Sequence, residues 1–246
     1  RYQWASQIAN SNNEVVIPDH VPNTTSLSQF FDQYSRTQGY PLIPSVETQN
    51  FGNSVYQITD LSYTFRYCKY FIPDISKWRT DNVTTMAHTF TDCTDAASVD
   101  LSSWRTGNVT DFKRTFYDYR NFNADISSWD TSSATGMYQM FYNAYRFNQD
   151  VSNWDVSNVT DMRSLFQNAT DFDQDISSWD FSSVQTYAGM LMGTSFSQAN
   201  YDALLISWAE QAASGWQPSY GGSNVSTNYT LGGAAEAART SLIVDH

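Results

Sequence analysis

From Asp74 onward the chain repeats one pattern of apolar and polar positions. Tryptophan recurs at Trp78, Trp104, Trp129, Trp154 and Trp179, at spacings of 26, 25, 25 and 25 residues. Around these positions the segments read DISKWRTDNVTTM, DLSSWRTGNVTDF, DISSWDTSSATGM, DVSNWDVSNVTDM and DISSWDFSSVQTY. Each continues to Phe90, Phe116, Phe141, Phe166 or Leu191, and three units add a second phenylalanine at Phe122, Phe147 or Phe172. A degenerate unit precedes them: Ile58-Thr59-Asp60-Leu61 and Phe65 match Val159-Thr160-Asp161-Met162 and Phe166 without a tryptophan. A fixed period of this length signals repeats that stack on one another.

Within a unit such as Val151 to Val159, the apolar residues fall at the spacing of a short strand whose alternate side chains point inward. The next segment sets Met162 and Phe166 four residues apart, which predicts one face of a short helical turn capped by Ser157 or Thr160. One unit cannot by itself bury a Trp, a Met and two Phe; a neighbour on each side can. Burial of a Trp and its flanking Phe contributes roughly several kcal/mol per unit before entropy is subtracted. The expected fold class is therefore an α/β solenoid. It would be a leucine-rich-repeat-like, right-handed stack of about six 25-residue repeats with short strands and short helical turns, capped at both ends.

The pattern also sets expected domain boundaries. Residues 41–197 carry the repeats. Residues 1–40 read as an N-terminal cap, because Leu27, Phe30, Phe31 and Tyr34 have helical spacing after Thr24, Thr25 and Ser26. Residues 198–246 read as a C-terminal helical cap. Tyr201, Leu204, Leu205 and Trp208 form one amphipathic helix after Asn200, and Ala234 to Ile243 another after Gly232 and Gly233. Gly215 to Thr230, rich in Gly, Ser and Asn, reads as the loop between them.

Composition narrows the function classes. The formal net charge is −12, from 25 Asp+Glu against 13 Lys+Arg, and no Lys/Arg cluster offers phosphates a partner. Nucleic acid and anionic membrane surfaces are disfavoured on that ground. No apolar run approaches the roughly 20 residues of a membrane span, so no membrane insertion is expected of this segment. The first residue is Arg1 and not Met, which reads as a processed or trimmed chain. His20, His88 and His246 lack metal-ligand spacing, and no nucleophile elbow, P-loop or dinucleotide fingerprint occurs. No enzyme, no cofactor and no metal is the resulting expectation.

The units D-x-S-x-W-D-x-S-x-V-T-D-M-x-x-x-F-x-x-A-x-x-F-N resemble the BspA-like, leucine-rich-repeat-related family of bacterial and microbial-eukaryote surface proteins, first catalogued as a mycoplasma protein of unknown function. The resemblance runs from about Leu42 to Ser197. It implies a secreted or cell-surface protein, often a lipoprotein or adhesin, that serves attachment and carries no chemistry. The segments NYDALLISWA and AAEAARTSLIVDH resemble the element closing such arrays. In relatives that element runs on into a Gly-Trp-containing strand, so the cap is expected to be truncated.

The functional expectation is an extracellular or cell-surface, non-enzymatic attachment or protein-interaction module presenting a rigid repetitive face. The alternatives are a structural subunit of an extracellular filament or coat, built from copies of itself, and a glycan-binding domain. The expected face carries the residues flanking each Trp: Lys77, Arg79, Arg105, Asp130, Asn153, Asp155 and Asp180, basic in the early units and acidic later. Tyr117, Tyr119, Tyr138, Tyr142 and Tyr145 form a second cluster, read either as an adhesive aromatic patch or as packing.

Three further ladders have two readings each. Cys68 and Cys93 stand 25 residues apart, within disulfide reach if stacked units lie about 4.7–4.9 Å apart; the alternative is two buried thiols at small-residue positions. Asp74, Asp100, Asp125, Asp150 and Asp175 would repel one another by about 0.8 kcal/mol per neighbour in water and about 3 at an effective dielectric of 20. Each either accepts bonds inside its own D-x-S turn or joins in holding calcium. Glycosylation sequons occur at Asn23, Asn82, Asn108, Asn158, Asn168, Asn224 and Asn228, three of them simply the N-V-T phase of the repeat.

Overall fold

The computed structural model describes residues 58–69, 72, 74–216 and 233–244. The expected N-terminal cap of residues 1–40 lies outside them. Among the described residues there are two α-helices, α1 (Gln198–Ala213) and α2 (Ala234–Val244), and no strand. The repeats consist of turns and irregular backbone, joined side by side through isolated parallel bridges running Asp60, Thr85, Asp111, Gly136, Asp161, Thr186. The expected α/β, leucine-rich-repeat-like solenoid is therefore incorrect: the units hold neither its short strands nor its helical turns.

The reasons are local. Ahead of each Trp the chain folds into a tight turn where the alternation of apolar residues predicts a strand. The Trp78 N–H donates to Ile75 O at 3.0 Å, and Trp104, Trp129, Trp154 and Trp179 repeat that bond three residues back. After the Trp, backbone handedness forbids a helix. Tyr63, His88, Arg114, Gln139 and Ser164 lie at φ between 54° and 60°, and Tyr67, Asp92, Asp118, Asn143 and Asn168 between 53° and 64°. A right-handed helix needs negative φ at every residue. A left-handed non-glycine residue costs roughly 1–2 kcal/mol, and here bonds between units offset it. With a left-handed residue at every fourth position, every second N–H along the stretch crosses to the next unit: His88 N donates to Lys113 O at 2.9 Å, Phe90 N to Thr115 O at 2.8 Å, and Asp92 N to Tyr117 O at 2.8 Å. In the last unit the same two positions are Gly189 and Gly193, at φ 69° and 77°.

The core is aromatic and in register. Phe65, Phe90, Phe116, Phe141 and Phe166 stack successively at 5.3, 5.5, 5.4 and 5.4 Å between ring centroids. Phe122, Phe147, Phe172 and Phe196 form a second row at 5.8, 6.1 and 6.2 Å. All five repeat tryptophans are buried. Trp78 stacks on Trp104 at 6.2 Å, and Trp154 on Trp179 at 6.5 Å. Each indole after the first also crosses to the preceding unit. Trp104 Nε1 donates to Ile75 O at 3.1 Å, Trp129 to Leu101 O and Trp154 to Ile126 O at 3.3 Å, and Trp179 to Val151 O at 2.9 Å. The indole row thus supplies apolar area and satisfies a carbonyl buried beside it.

Helix α1 closes the end of the array. Its N-cap is Ser197, three residues before the Asn200 that the sequence suggests, and Tyr201, Leu204, Leu205 and Trp208 are buried. Trp208 meets Phe181 edge-on at 5.6 Å and Tyr187 at 4.9 Å. Gln211 completes the last unit's backbone, accepting from Phe181 N at 2.6 Å and donating to Trp179 O at 2.9 Å. Ala235 and Ala238 of α2 are buried.

Candidate functional site

Buried threonines fix the backbone at three of the five residues that follow a Trp: Arg105, Asp130 and Asp155. Thr80 Oγ1 donates to Arg105 O at 2.9 Å and accepts from Arg105 N at 2.8 Å. Thr106 Oγ1 donates to Asp130 O, and Thr131 Oγ1 to Asp155 O, both at 2.8 Å. Thr80, Thr106, Thr131, Val156 and Phe181 are buried, whereas Lys77, Arg79, Arg105, Asp130, Asn153, Asp155 and Asp180 are all exposed. The structure thus brings the sequence-predicted face residues onto one surface, in the order Arg79, Arg105, Asp130, Asp155, Asp180.

Charge along this row is graded. Arg79 and Arg105 share one carboxylate, Asp81, at 3.5 and 3.4 Å, with guanidinium side chains 55% and 77% exposed. Two cations on one anion leave that end positive. Hydrogen bonds from the Ser132 hydroxyl and N–H hold the Asp130 carboxyl below the ordinary carboxylate range, and Ser157 does the same for Asp155. The other end is therefore held anionic. Asp130 also leans over Gly107, where an added Cβ would stand 2.7 Å from its Oδ2.

The second carboxylate row closes on itself. Asp74, Asp100 and Asp125 each accept the N–H of the serine two residues on at 3.0 Å and its hydroxyl at 2.7 Å, and Asp150 and Asp175 accept the N–H at 2.9 Å. These bonds lower the Asp74, Asp100, Asp125 and Asp150 pKa values. Such turns account for the D-x-S phase without an ion. Among the described residues no group of His, Cys, Asp or Glu converges as a metal site requires.

A family model described as Mycoplasma protein of unknown function, DUF285, matches residues 25–124 and again residues 89–204. The chain belongs to this family. No curated protein and no solved structure matches it. The two DUF285 matches overlap over residues 89–124. The match gives no support to a BspA-like or leucine-rich-repeat relationship.

In this DUF285 chain the expected disulfide is absent: Cys68 and Cys93 are not joined. Cys93 is buried and its thiol donates to Phe65 O at 3.1 Å, so a backbone carbonyl takes the place expected of a second sulfur. Burial pushes that thiol's pKa up. Without the disulfide, nothing in the structure or the comparisons supports secretion, adhesion or a glycoprotein. Asn82 is exposed; Asn108 and Asn158, exposed as well, donate their amides to Asp81 O and Ser132 O; the half-buried Asn168 donates to Asn143. Asn23, Asn224 and Asn228 lie outside the described residues.

The tyrosines divide. Tyr119 is fully buried and its hydroxyl donates to Ala97 O. Tyr117 and Tyr142, half-buried, stack at 4.8 Å. Cations that the sequence reading does not single out sit over the others: Arg163, Arg114 and Lys113 lie 5.0, 5.3 and 5.7 Å from the Tyr138 ring, and Arg120 lies 5.8 Å from that of Tyr145. Their signal is present in the sequence, since Lys113 and Arg163 occupy the phase of Tyr138 in the units on either side of it, and Arg114 the phase after it.

Proposed function

We propose that this DUF285 chain is a non-enzymatic protein-interaction module that attaches through the row of residues after each Trp. The observation that carries the reading is the graded charge of the exposed Arg79, Arg105, Asp130, Asp155 and Asp180, with the backbone of Arg105, Asp130 and Asp155 held by buried threonines. Positions held in register present a partner with fixed charges at low entropic cost. The other repeated carboxylates are engaged in their own turns, which favours a scaffold over a paired-carboxylate active site. A place on a secreted or cell-surface protein, related to the BspA-like group, rests on the resemblance of the units alone.

The test is binding of the immobilised chain to a panel of purified matrix and surface proteins, repeated with a face-reversed variant, R79E/R105E/D155K. Salt-sensitive binding to a panel member that the variant lacks is expected. A panel on which neither a foreign protein nor the soluble chain itself binds, or binding that survives the reversal, would overturn the reading.

A further inference from the structure

The charged row is complementary to itself when turned end for end. A two-fold axis between the Arg105 and Asp130 positions sets Arg105 of one copy against Asp130 of the other, and Arg79 against Asp155. Symmetry repeats both pairs, giving four contacts between opposite charges and none between like charges along those four positions. The row before each Trp agrees with this register: Lys77 falls opposite the neutral Asn153, and Ser103 opposite Ser128. An axis one half-step away fails, because it sets Asp130 against Asp130.

We infer that this face binds a second copy of the same chain, antiparallel and about that axis. The inference rests on the reading of the face as an interaction surface and names its partner. Identical unit spacing in the two copies keeps every pair in step, as a self-complementary two-fold contact requires. The donors and acceptors are exposed, held on rigid backbone, and charged at neutral pH. Contacts of this kind set register and partner choice and weaken with salt.

The repeat supplies its own test substitutions. Aspartate occupies the Arg105 phase in later units, and arginine occupies the Asp130 phase in earlier ones, so R105D and D130R each install a side chain the fold already accommodates. Sedimentation equilibrium of the full chain at low and at high salt is expected to show a dimer that high salt weakens by about tenfold or more. Either variant alone places like charges at two symmetry-related contacts and should weaken the dimer by at least about tenfold. In an equimolar mixture of the two, the introduced aspartate of one copy faces the introduced arginine of the other, and the unchanged Asp130 and Arg105 face each other. The mixture is therefore expected to return to within about threefold of the original affinity. Circular dichroism melting of each variant shows that it is folded. A chain that stays monomeric at low salt, single variants that dimerise like the parent, or a mixture that does not recover would each overturn the inference. If the chain is monomeric yet the matrix panel still binds and still loses binding on reversal, the antiparallel dimer falls while the interaction face stands.

Discussion

Asp173 joins the last repeat unit to the first turn of α1: its Oδ1 accepts the Ser197 N–H at 2.7 Å and the Asn200 amide at 2.8 Å. It ends a row of such acceptors. Asn123 Oδ1 takes the Asn148 N–H at 3.0 Å, and Asn148 Oδ1 takes the Asp173 N–H at 2.9 Å. The final carboxylate therefore grips the helix with the same bond that each unit makes to its successor.

Partial burial would raise the Asp173 pKa, but the bonds from Ser197 and Asn200 outweigh it and hold the group below its ordinary value. Its contribution is thus complete above the unfolded carboxylate pKa and is lost as pH falls through the lower folded value. Asp173→Ala should cost about 1–2 kcal/mol near pH 7, and Asp173→Asn, which keeps the acceptor oxygen, less than half of that. Urea melts at pH 7 and at about pH 3 check both, with the gap between Asp173→Asn and the parent expected to narrow in acid.

His88 predicts a second pH dependence. Burial, then Arg114, Lys113 and Arg66, lower its pKa from 6.5 to about 4. It stacks on Tyr63 at 4.5 Å. The unfolded chain binds the proton first, so stability should decline as pH drops from about 6.5 toward 4, by about 1–2 kcal/mol after discounting for partial exposure. His88→Gln removes a titrating group and inserts the residue found at the equivalent Gln139. Its stability should decline less than the parent's across that window, and an unchanged slope in the variant would contradict the assignment.

The left-handed positions predict opposite outcomes for two substitutions. Asn143→Gly relieves the strain of a φ of 57°, but Asn143 accepts from Asn168 at 2.9 Å, so the net change should stay within about 1 kcal/mol. Gly193→Ala adds strain at φ 77° and sets a Cβ 2.5 Å from Asn168 Oδ1. It should destabilise by about 1–3 kcal/mol in thermal melts.

Replacing an indole tests the core directly. Trp129→Phe removes the bond to Leu101 O and leaves a void beside Phe112 and Phe116, whose rings lie 5.8 and 5.9 Å from the indole. A loss of about 2–4 kcal/mol is expected in urea unfolding.

Thiol chemistry supplies a further check. Alkylation of the denatured chain without reductant should modify both Cys68 and Cys93, and of the native chain Cys68 well before the buried Cys93. A mass two hydrogen atoms short of the dithiol before any reduction would contradict the structure.

The period, the inward tryptophans and the outward charges beside them were legible because burial leaves a compositional trace at every turn of the repeat. Backbone handedness leaves a fainter trace: the phase of Asp92, Asp118, Asn143, Asn168 and Gly193 holds residues that tolerate positive φ, whereas the phase of Tyr63, His88, Arg114, Gln139 and Ser164 gives little sign of it. The left-handed sites hold Tyr, His, Arg, Gln, Ser, Asp and Asn, and only Gly189 and Gly193 carry the residue that usually marks such φ values. Met162 and Phe166 four apart therefore read as a helix, although Ser164 between them excludes one. The D-x-S turn is one of the two readings that phase allows and its bonds are seen, yet that same turn displaces the strand expected just before each Trp. Cys68 and Cys93 show the limit of spacing arguments: two cysteines one period apart stay free thiols, the buried one donating to Phe65 O.

The bonds from each unit to the next join residues about one period apart, as in Trp154 to Ile126 or Phe141 to Leu165. The loop that must close for any one of them is thus the same short loop everywhere. Lengthening the array multiplies these closures without enlarging any of them, so the time to assemble a native pair of neighbours is set by two units and not by the whole chain. A gene that duplicates one unit inherits a longer surface at almost no kinetic penalty.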